Sequence, residues 1–154
     1  MQDSVTVHFD APVGEVWNLV TDITRIGEFS PETFEAEWLD DASGPEVGAR
    51  FRGHVKRNEK GPVYWSTCEV TTCEPQRSFE FTVLIGGRPT NNWRYDLEPA
   101  GEGTEVTESF RLENTLPNKL YWAAAGRWRG RTNRDGMQAT LERMKHLLES
   151  DPAQ

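Results

Sequence analysis

The stretch VTVHFDAPVGEVWNLVTDI, residues 5–23, joins a strand directly to a helix and sets the order of the fold. Val5, Val7 and Phe9 alternate with polar residues, which is the pattern of a strand with one buried face. Pro12 then opens a helix, because the first helical position has no N–H group that needs a partner. Apolar residues follow at helical spacing and form one stripe: Val13, Val16, Trp17, Val20 and Ile23.

The middle of the chain is typical of strands separated by short turns. The separating segments are rich in Gly, Pro, Asp and Asn, as in DDASGPEVG at residues 40–48. Six consecutive strands with short connections indicate an antiparallel meander. The predicted strands are Thr33–Leu39, Ala49–Arg57, Val63–Glu74, Ser78–Ile85, Asn91–Glu98 and Thr104–Leu112.

The last third of the chain changes to a helical period. A helix over Asn118–Ser150 would be about 50 Å long, whereas strands of about eight residues span only about 27 Å. We therefore expect either a kink or break near Gly126, Gly130 or Gly136, or an overhang at one end. One face of this helix carries an apolar stripe: Met137, Leu141, Met144 and Leu148.

Length and charge restrict the class of protein. The chain has 154 residues and a net charge of −8, and we expect one domain over residues 1–154 with a frayed tail at 151–154. The negative charge disfavours nucleic acids and anionic membranes as partners, because both require a positive field.

The expected location follows from the cysteines and from the apolar segments. No apolar run reaches the roughly 18 residues of a membrane-spanning helix, and the N-terminal residues lack a signal-peptide core. Cys68 and Cys73 lie about 16 Å apart on one predicted strand, too far for a disulfide. Free thiols favour a reducing compartment, so we expect a cytoplasmic protein without membrane insertion. The sequence leaves its oligomeric state open.

Several segments give the chain a resemblance to a known superfamily. It resembles the START-like, Bet v 1-like (SRPBCC) superfamily, in particular the polyketide cyclase/dehydrase and lipid transport type. The matching segments cover nearly the whole chain: residues 5–23, PEVGARFRGH (45–54), WSTCEVTTCEP (65–75), WRYDLEP (93–99), GTEVTESF (103–110) and GMQATLERMK (136–145).

This resemblance implies an α+β helix-grip fold. Such a fold has a curved antiparallel sheet of about seven strands around a long C-terminal helix, with a helical segment after the first strand. It also implies a cavity under that helix and hence binding or carriage of a small hydrophobic molecule, such as a lipid or polyketide. One alternative is a polyketide aromatase/cyclase-type enzyme, and a second is a regulatory or interaction protein without a natural ligand. The resemblance assigns no catalytic residue.

Strand alternation predicts which side chains face such a cavity. The predicted strand Val63–Glu74 is ambiguous, because Tyr64 and Cys68 oppose Trp65 in parity. Plain core packing is the alternative explanation for the other inward aromatics. The predicted ligand-binding residues are Phe51, Phe79, Phe81, Trp93, Tyr95, Val106, Glu108, Phe110, Met137 and Leu141.

Glu108 is the most informative of these residues, because a carboxylate on an inward parity is costly to bury. It is either structural, paired with an arginine or reaching water at a strand end, or a polar anchor or general acid/base with a raised pKa. Tyr95 and His54 are further catalytic candidates. His54 has outward parity and turns inward only if the strand bulges at Gly53.

A basic cluster stands out in this acidic chain, formed by Arg127, Arg129, Arg131 and Arg134. It is either a solvated face, or a site for an acidic ligand group at the cavity mouth, or a docking patch for an acidic partner. No two histidines have ligand spacing, and no Cys-x-x-Cys, G-x-S-x-G or phosphate-binding loop occurs. We therefore expect neither a metal nor a cofactor.

Overall fold

The computed structural model describes residues 2–56 and 61–150, except for the side chains of residues 126, 127 and 129. Within these residues the two α-helices are α1 (Val13–Thr21) and α2 (Leu116–Glu149), and a short 3₁₀ helix spans Ile23–Glu28. The strands are β1 Gln2–Phe9, β2 Thr33–Trp38, β3 Arg50–Lys56, β4 Val63–Glu74, β5 Ser78–Ile85, β6 Arg88–Ala100 and β7 Gly103–Leu112. Two predictions, a strand end at Arg57 and a frayed tail at 151–154, lie outside the described residues.

The strands form one antiparallel sheet in the order β1-β7-β6-β5-β4-β3-β2. Strands β2 to β7 are the predicted meander, in which each strand pairs with the next. Strand β1 completes the sheet by pairing with β7, where Val7 lies opposite Val106 and Val5 lies opposite Glu108. Because α1 follows β1 directly, this pairing brings α1 against β6, β7 and α2.

Strand β6 begins at Arg88, three residues before the predicted start at Asn91. Gly86 and Gly87 have φ angles of 59° and 78° and form the turn by themselves, as two-residue hairpin turns require. Pro89 then lies next to a register irregularity in the pairing with β5, a position that tolerates a missing N–H. Strand β6 is therefore longer than predicted, because the Gly- and Pro-rich segment before Asn91 belongs partly to the strand and not wholly to the turn.

Helix α2 is continuous over its 34 residues, so of the two predicted alternatives the break near a glycine does not occur and the overhang at one end applies. It begins where the Thr115 side chain accepts a hydrogen bond from the N–H of Asn118 at 3.4 Å, which is a helix N-cap. Leu116 and Leu120 in its first turns are 69% and 64% exposed, so the N-terminal end extends beyond the packed core. The C-terminal half is anchored by buried side chains: Met137, Thr140, Leu141 and Met144.

The core lies where α1 and the C-terminal half of α2 pack against the sheet. Leu141 of α2 and Phe79 of β5 are buried there, and the Phe79 ring meets the edge of Trp17 from α1 at a centroid distance of 6.3 Å. A seven-stranded antiparallel sheet with one long C-terminal helix and a helix after the first strand is the predicted α+β helix-grip fold, which is thereby confirmed. The largest fully buried side chains include Phe9, Val16, Leu19, Phe79, Val106, Leu141 and Met144.

Gly27 lies where the 3₁₀ helix passes β2 too closely to accommodate a side chain. A Cβ atom on Gly27 would lie 2.1 Å from the carbonyl oxygen of Phe34. We expect Gly27→Ala to lower the free energy of unfolding by more than about 2 kcal/mol, because the backbone must move. Gly44→Ala is the matched control, since a Cβ at Gly44 meets nothing within 4 Å. Urea denaturation checks this, and equal midpoints for the two variants would contradict it.

Candidate functional site

A cavity of about 370 Å³ lies between the sheet and helix α2. The helix approaches the sheet most closely along β1 and β7, and its distance from the middle strands leaves space above them. Strands β3 to β7, the loop before β2 and helix α2 all contribute to the cavity wall. The volume falls in the range of small-molecule sites, which is about 300–1,000 Å³.

Seven of the ten predicted ligand-binding residues lie on this wall. Their rings pack in pairs, with centroids 5.1 Å apart for Phe51 and Phe81 and 4.9 Å apart for Trp93 and Phe110. Apolar rings of this kind provide much contact area to an apolar molecule. The seven residues are Phe51, Phe81, Trp93, Tyr95, Glu108, Phe110 and Met137.

The other three predicted residues, Phe79, Val106 and Leu141, are not among the residues that line the cavity. All three have the inward parity that the sequence indicates, but they are at most 1% exposed and belong to the core beside α1. Alternation identifies the face of a strand and not the position along it. The end of the sheet's inward face that lies beside α1 is therefore filled by core side chains, whereas the opposite end borders the cavity.

The ambiguous strand β4 presents Tyr64, Ser66 and Cys68 to the cavity. Trp65 lies on the opposite face, where its ring stacks on His54 at a centroid distance of 4.2 Å. Burial raises the pKa of the Cys68 thiol to about 12, so this thiol stays protonated in the wall. Cys68 and Cys73 are both free, as predicted.

His54 does not face the cavity, which corrects its place among the catalytic candidates. Its Nδ1 lies 2.7 Å from a carboxylate oxygen of Glu35 on the outer face of the sheet. Gly53 does line the cavity, so the strand keeps its ordinary alternation there and His54 points away. The inward turn that a bulge at Gly53 would cause does not occur.

Glu108 and Tyr95 form a buried polar pair on the cavity wall. They lie directly opposite each other on β7 and β6, and the Tyr95 hydroxyl donates a hydrogen bond to Oε1 of Glu108 at 3.0 Å. Glu108 is 3% exposed, so it does not reach water at a strand end, and among the described side chains no arginine pairs with it. Burial raises the pKa of Glu108 to about 8, and the hydrogen bond from Tyr95 opposes this shift only in part. The pair can hold or deliver a proton inside an apolar cavity.

Sequence reasoning missed the lining residues contributed by the 3₁₀ helix and the loop before β2 and by part of α2. Asn133 lies one turn before Met137 on the same helix face, so the i, i+4 rule would have found it. No comparable periodicity marks the loop residues. The additional residues include Ile26, Phe29, Pro31, Trp122, Asn133 and Gly136.

The cavity reaches the protein surface at the end away from α1. Three of its lining residues, Tyr64, Ile85 and Tyr121, are substantially exposed. They come from β4, β5 and α2. This end is the mouth through which a small molecule can enter.

Of the four arginines in the basic cluster, the structure describes the side chains of Arg131 and Arg134. Arg134 forms a two-pronged ion pair with Asp3 of β1, with distances of 3.1 and 2.5 Å, which ties α2 to the edge of the sheet. Arg131 is exposed, and neither of these two arginines lines the cavity. The side chains of Arg127 and Arg129 lie outside those described.

The described residues contain neither a metal-binding cluster nor a membrane-spanning helix. No group of three or more His, Cys, Asp or Glu side chains there is arranged to hold a metal ion. No helix there combines the length and the apolar character needed to cross a membrane.

The chain is similar to one family and to several solved structures. The family model "Polyketide cyclase / dehydrase and lipid transport" matches residues 3–149. The solution NMR structure of the Polyketide_cyc-like protein Cgl2372 from Corynebacterium glutamicum is 31% identical, covers 96% of this chain and 91% of that chain, and has a TM-score of 0.66. The crystal structure of protein NE0264 from Nitrosomonas europaea is 16% identical, covers 100% and 97%, and has a TM-score of 0.71, a likeness of fold alone. No curated protein matches at a significant level.

Proposed function

Because the chain belongs to the polyketide cyclase/dehydrase and lipid transport family, we propose that it binds and carries a small hydrophobic molecule in the cavity under α2. The observation that carries this proposal is the aromatic-lined cavity of about 370 Å³ with its open mouth. Mostly apolar walls with a few polar groups are typical of small-molecule sites. The free thiols of Cys68 and Cys73 support the cytoplasm as the compartment.

In this proposal the predicted ligand-binding residues form the apolar contact surface, the polar anchor or the core that supports the wall. Phe51, Phe81, Trp93, Phe110 and Met137 supply the apolar contact surface, with Tyr95 and Glu108 as the polar anchor. Phe79, Val106 and Leu141 hold the core that supports the wall.

Gly136 offers a way to test the proposal by filling the cavity. A Cβ on Gly136 would meet only Cγ of Pro31, at 3.9 Å, and both residues line the cavity. Gly136→Phe should therefore project its ring into the cavity and weaken binding of the neutral probe N-phenyl-1-naphthylamine by at least about tenfold. Fluorescence titration of the probe measures the affinity.

Gly136→Ala is the matched control, because it adds a side chain too short to fill the space. It should keep probe affinity within about twofold, and both variants replace glycine by a better helix former, so neither should lower the melting temperature. Equal probe affinity in Gly136→Phe and the parent would refute binding in this cavity. Absence of probe binding to the parent would favour the regulatory or interaction protein without a natural ligand.

A polyketide aromatase/cyclase-type reaction is the second candidate function, favoured by the Glu108–Tyr95 pair. A protonated carboxyl next to an apolar ligand is suited to donate a proton in such a reaction. Incubation with a polyketone and mass spectrometry separates the two functions. An unchanged ligand supports carriage, whereas a product that has lost water by cyclisation supports catalysis.

A further inference from the structure

In the described part of the chain, one buried side-chain polar atom has no hydrogen-bond partner, and it is Oε2 of Glu108. The other oxygen of this carboxyl is already engaged by the Tyr95 hydroxyl. Buried polar atoms are nearly always paired, and an unpaired one lowers stability. Because Glu108 lies on the cavity wall, a ligand in the cavity is the candidate partner for this atom.

The surroundings of Glu108 favour a neutral carboxyl group. Its register neighbours in the sheet are Val5 and Tyr95, neither of which is a cation. Among the described side chains that line the cavity there is no Lys, Arg or His. Burial without a cation raises the pKa of Glu108 to about 8, so the group is mainly protonated at neutral pH. Since Tyr95 donates to Oε1, the acid proton belongs on Oε2.

We propose that the ligand presents a neutral hydrogen-bond acceptor, a carbonyl oxygen set in an apolar framework, to Oε2 of Glu108. This inference rests on the proposed function and specifies its ligand class. The adjoining wall suits the apolar framework, because Trp93, Phe110 and Met137 also line the cavity. A protonated amine is less compatible, since it needs an ionised carboxyl and the desolvation of both charges.

Three naphthalene derivatives of nearly equal shape test this inference. They are 2-acetylnaphthalene, which carries a carbonyl, 2-isopropylnaphthalene, which lacks an acceptor, and 1-(2-naphthyl)ethylamine, which is a cation. Displacement of bound N-phenyl-1-naphthylamine measures their affinities. One buried neutral hydrogen bond predicts that the ketone binds up to about tenfold more tightly than the hydrocarbon. The amine should bind more weakly than the ketone.

Two variants assign this preference to Glu108. In Glu108→Gln the amide oxygen still accepts from Tyr95 and the amide N–H group still donates, so the ketone preference should persist within about twofold. In the double variant Glu108→Leu/Tyr95→Phe both polar groups are replaced by apolar ones. The ketone and the hydrocarbon should then bind with affinities equal within about twofold.

Affinities measured over a series of pH values give a second test of the role of Glu108 in the ketone preference. Between about pH 6.5 and about pH 9.5 Glu108 ionises and loses its donor, so the parent should lose its ketone preference and Glu108→Gln should keep it. Burial raises the pKa values of Tyr95 and Cys68, so both keep their protons over this range. Among the described side chains, the titratable groups that line the cavity are Glu32, Tyr64, Cys68, Tyr95, Glu108 and Tyr121.

The outcomes separate this inference from the proposed function. Equal affinities for ketone and hydrocarbon, or a tighter amine, would overturn the carbonyl assignment, while displacement of the fluorescent probe would still support a binding cavity. If neither the fluorescent probe nor any naphthalene derivative binds, both proposals are overturned.

Discussion

Leu141→Asp is expected to leave the protein unfolded under conditions in which the parent chain is folded. Leu141 is fully buried and belongs to the core between α2 and the sheet. The substitution removes a large apolar side chain and places an unpaired charge there, a combined loss of several kcal/mol. Domains of this size are stable by only about 5–15 kcal/mol. Far-ultraviolet circular dichroism and thermal melting measure the result.

Two controls separate burial from other effects of this substitution. Leu120→Asp places the same charge on the same helix, but Leu120 is 64% exposed, so its melting temperature should be almost unchanged. Leu141→Met nearly preserves volume and should lower the free energy of unfolding by less than about 1.5 kcal/mol. A Leu141→Asp protein that melts like Leu120→Asp would contradict the inward face assigned to α2.

Raising the pH from 4.5 to 8 is expected to destabilise the folded protein through Glu108. In the unfolded chain this carboxyl ionises near its ordinary pKa of 4.5, whereas burial raises the pKa to about 8 in the fold. The contribution of the neutral acid is therefore fully present below pH 4.5 and is lost as the pH rises to 8. Each pH unit in this interval removes about 1.4 kcal/mol, so the whole effect is on the order of 4–5 kcal/mol.

Glu108→Gln isolates this effect from the titration of other groups. The amide keeps the acceptor for Tyr95 and has no proton to lose, so its stability should lack this decline. Urea denaturation at several pH values should show similar stabilities near pH 4.5 and a more stable Glu108→Gln near pH 8. Glu102→Gln, at an exposed turn position, removes one negative charge that is not buried. Its stability should therefore show the same dependence on pH as that of the parent. Parallel curves for the parent and Glu108→Gln would refute the burial of an unpaired acid.

The inward parity of Glu108 could be predicted from the sequence, but its partner could not. Strand alternation depends only on the local backbone and places Glu108 among inward side chains. That Tyr95 stands directly opposite depends on the register between β6 and β7, which the turn and the whole sheet settle together. The outward position of His54 could be predicted for the same reason, because it follows from strand alternation in β3.

By itself, the sequence determined the order of strands and helices, the apolar face of nearly every strand, and the buried stripe of α2. These are local properties, because they follow from backbone periods of 2 and 3.6 residues. Only the tertiary structure decided which inward residues line a cavity and which fill the core. Phe79 and Phe81 share one face of β5, yet Phe79 packs on Trp17 and Phe81 lines the cavity. The difference arises from where α1 and α2 cross the sheet, since packing between distant segments covers one end of the face and leaves the other open.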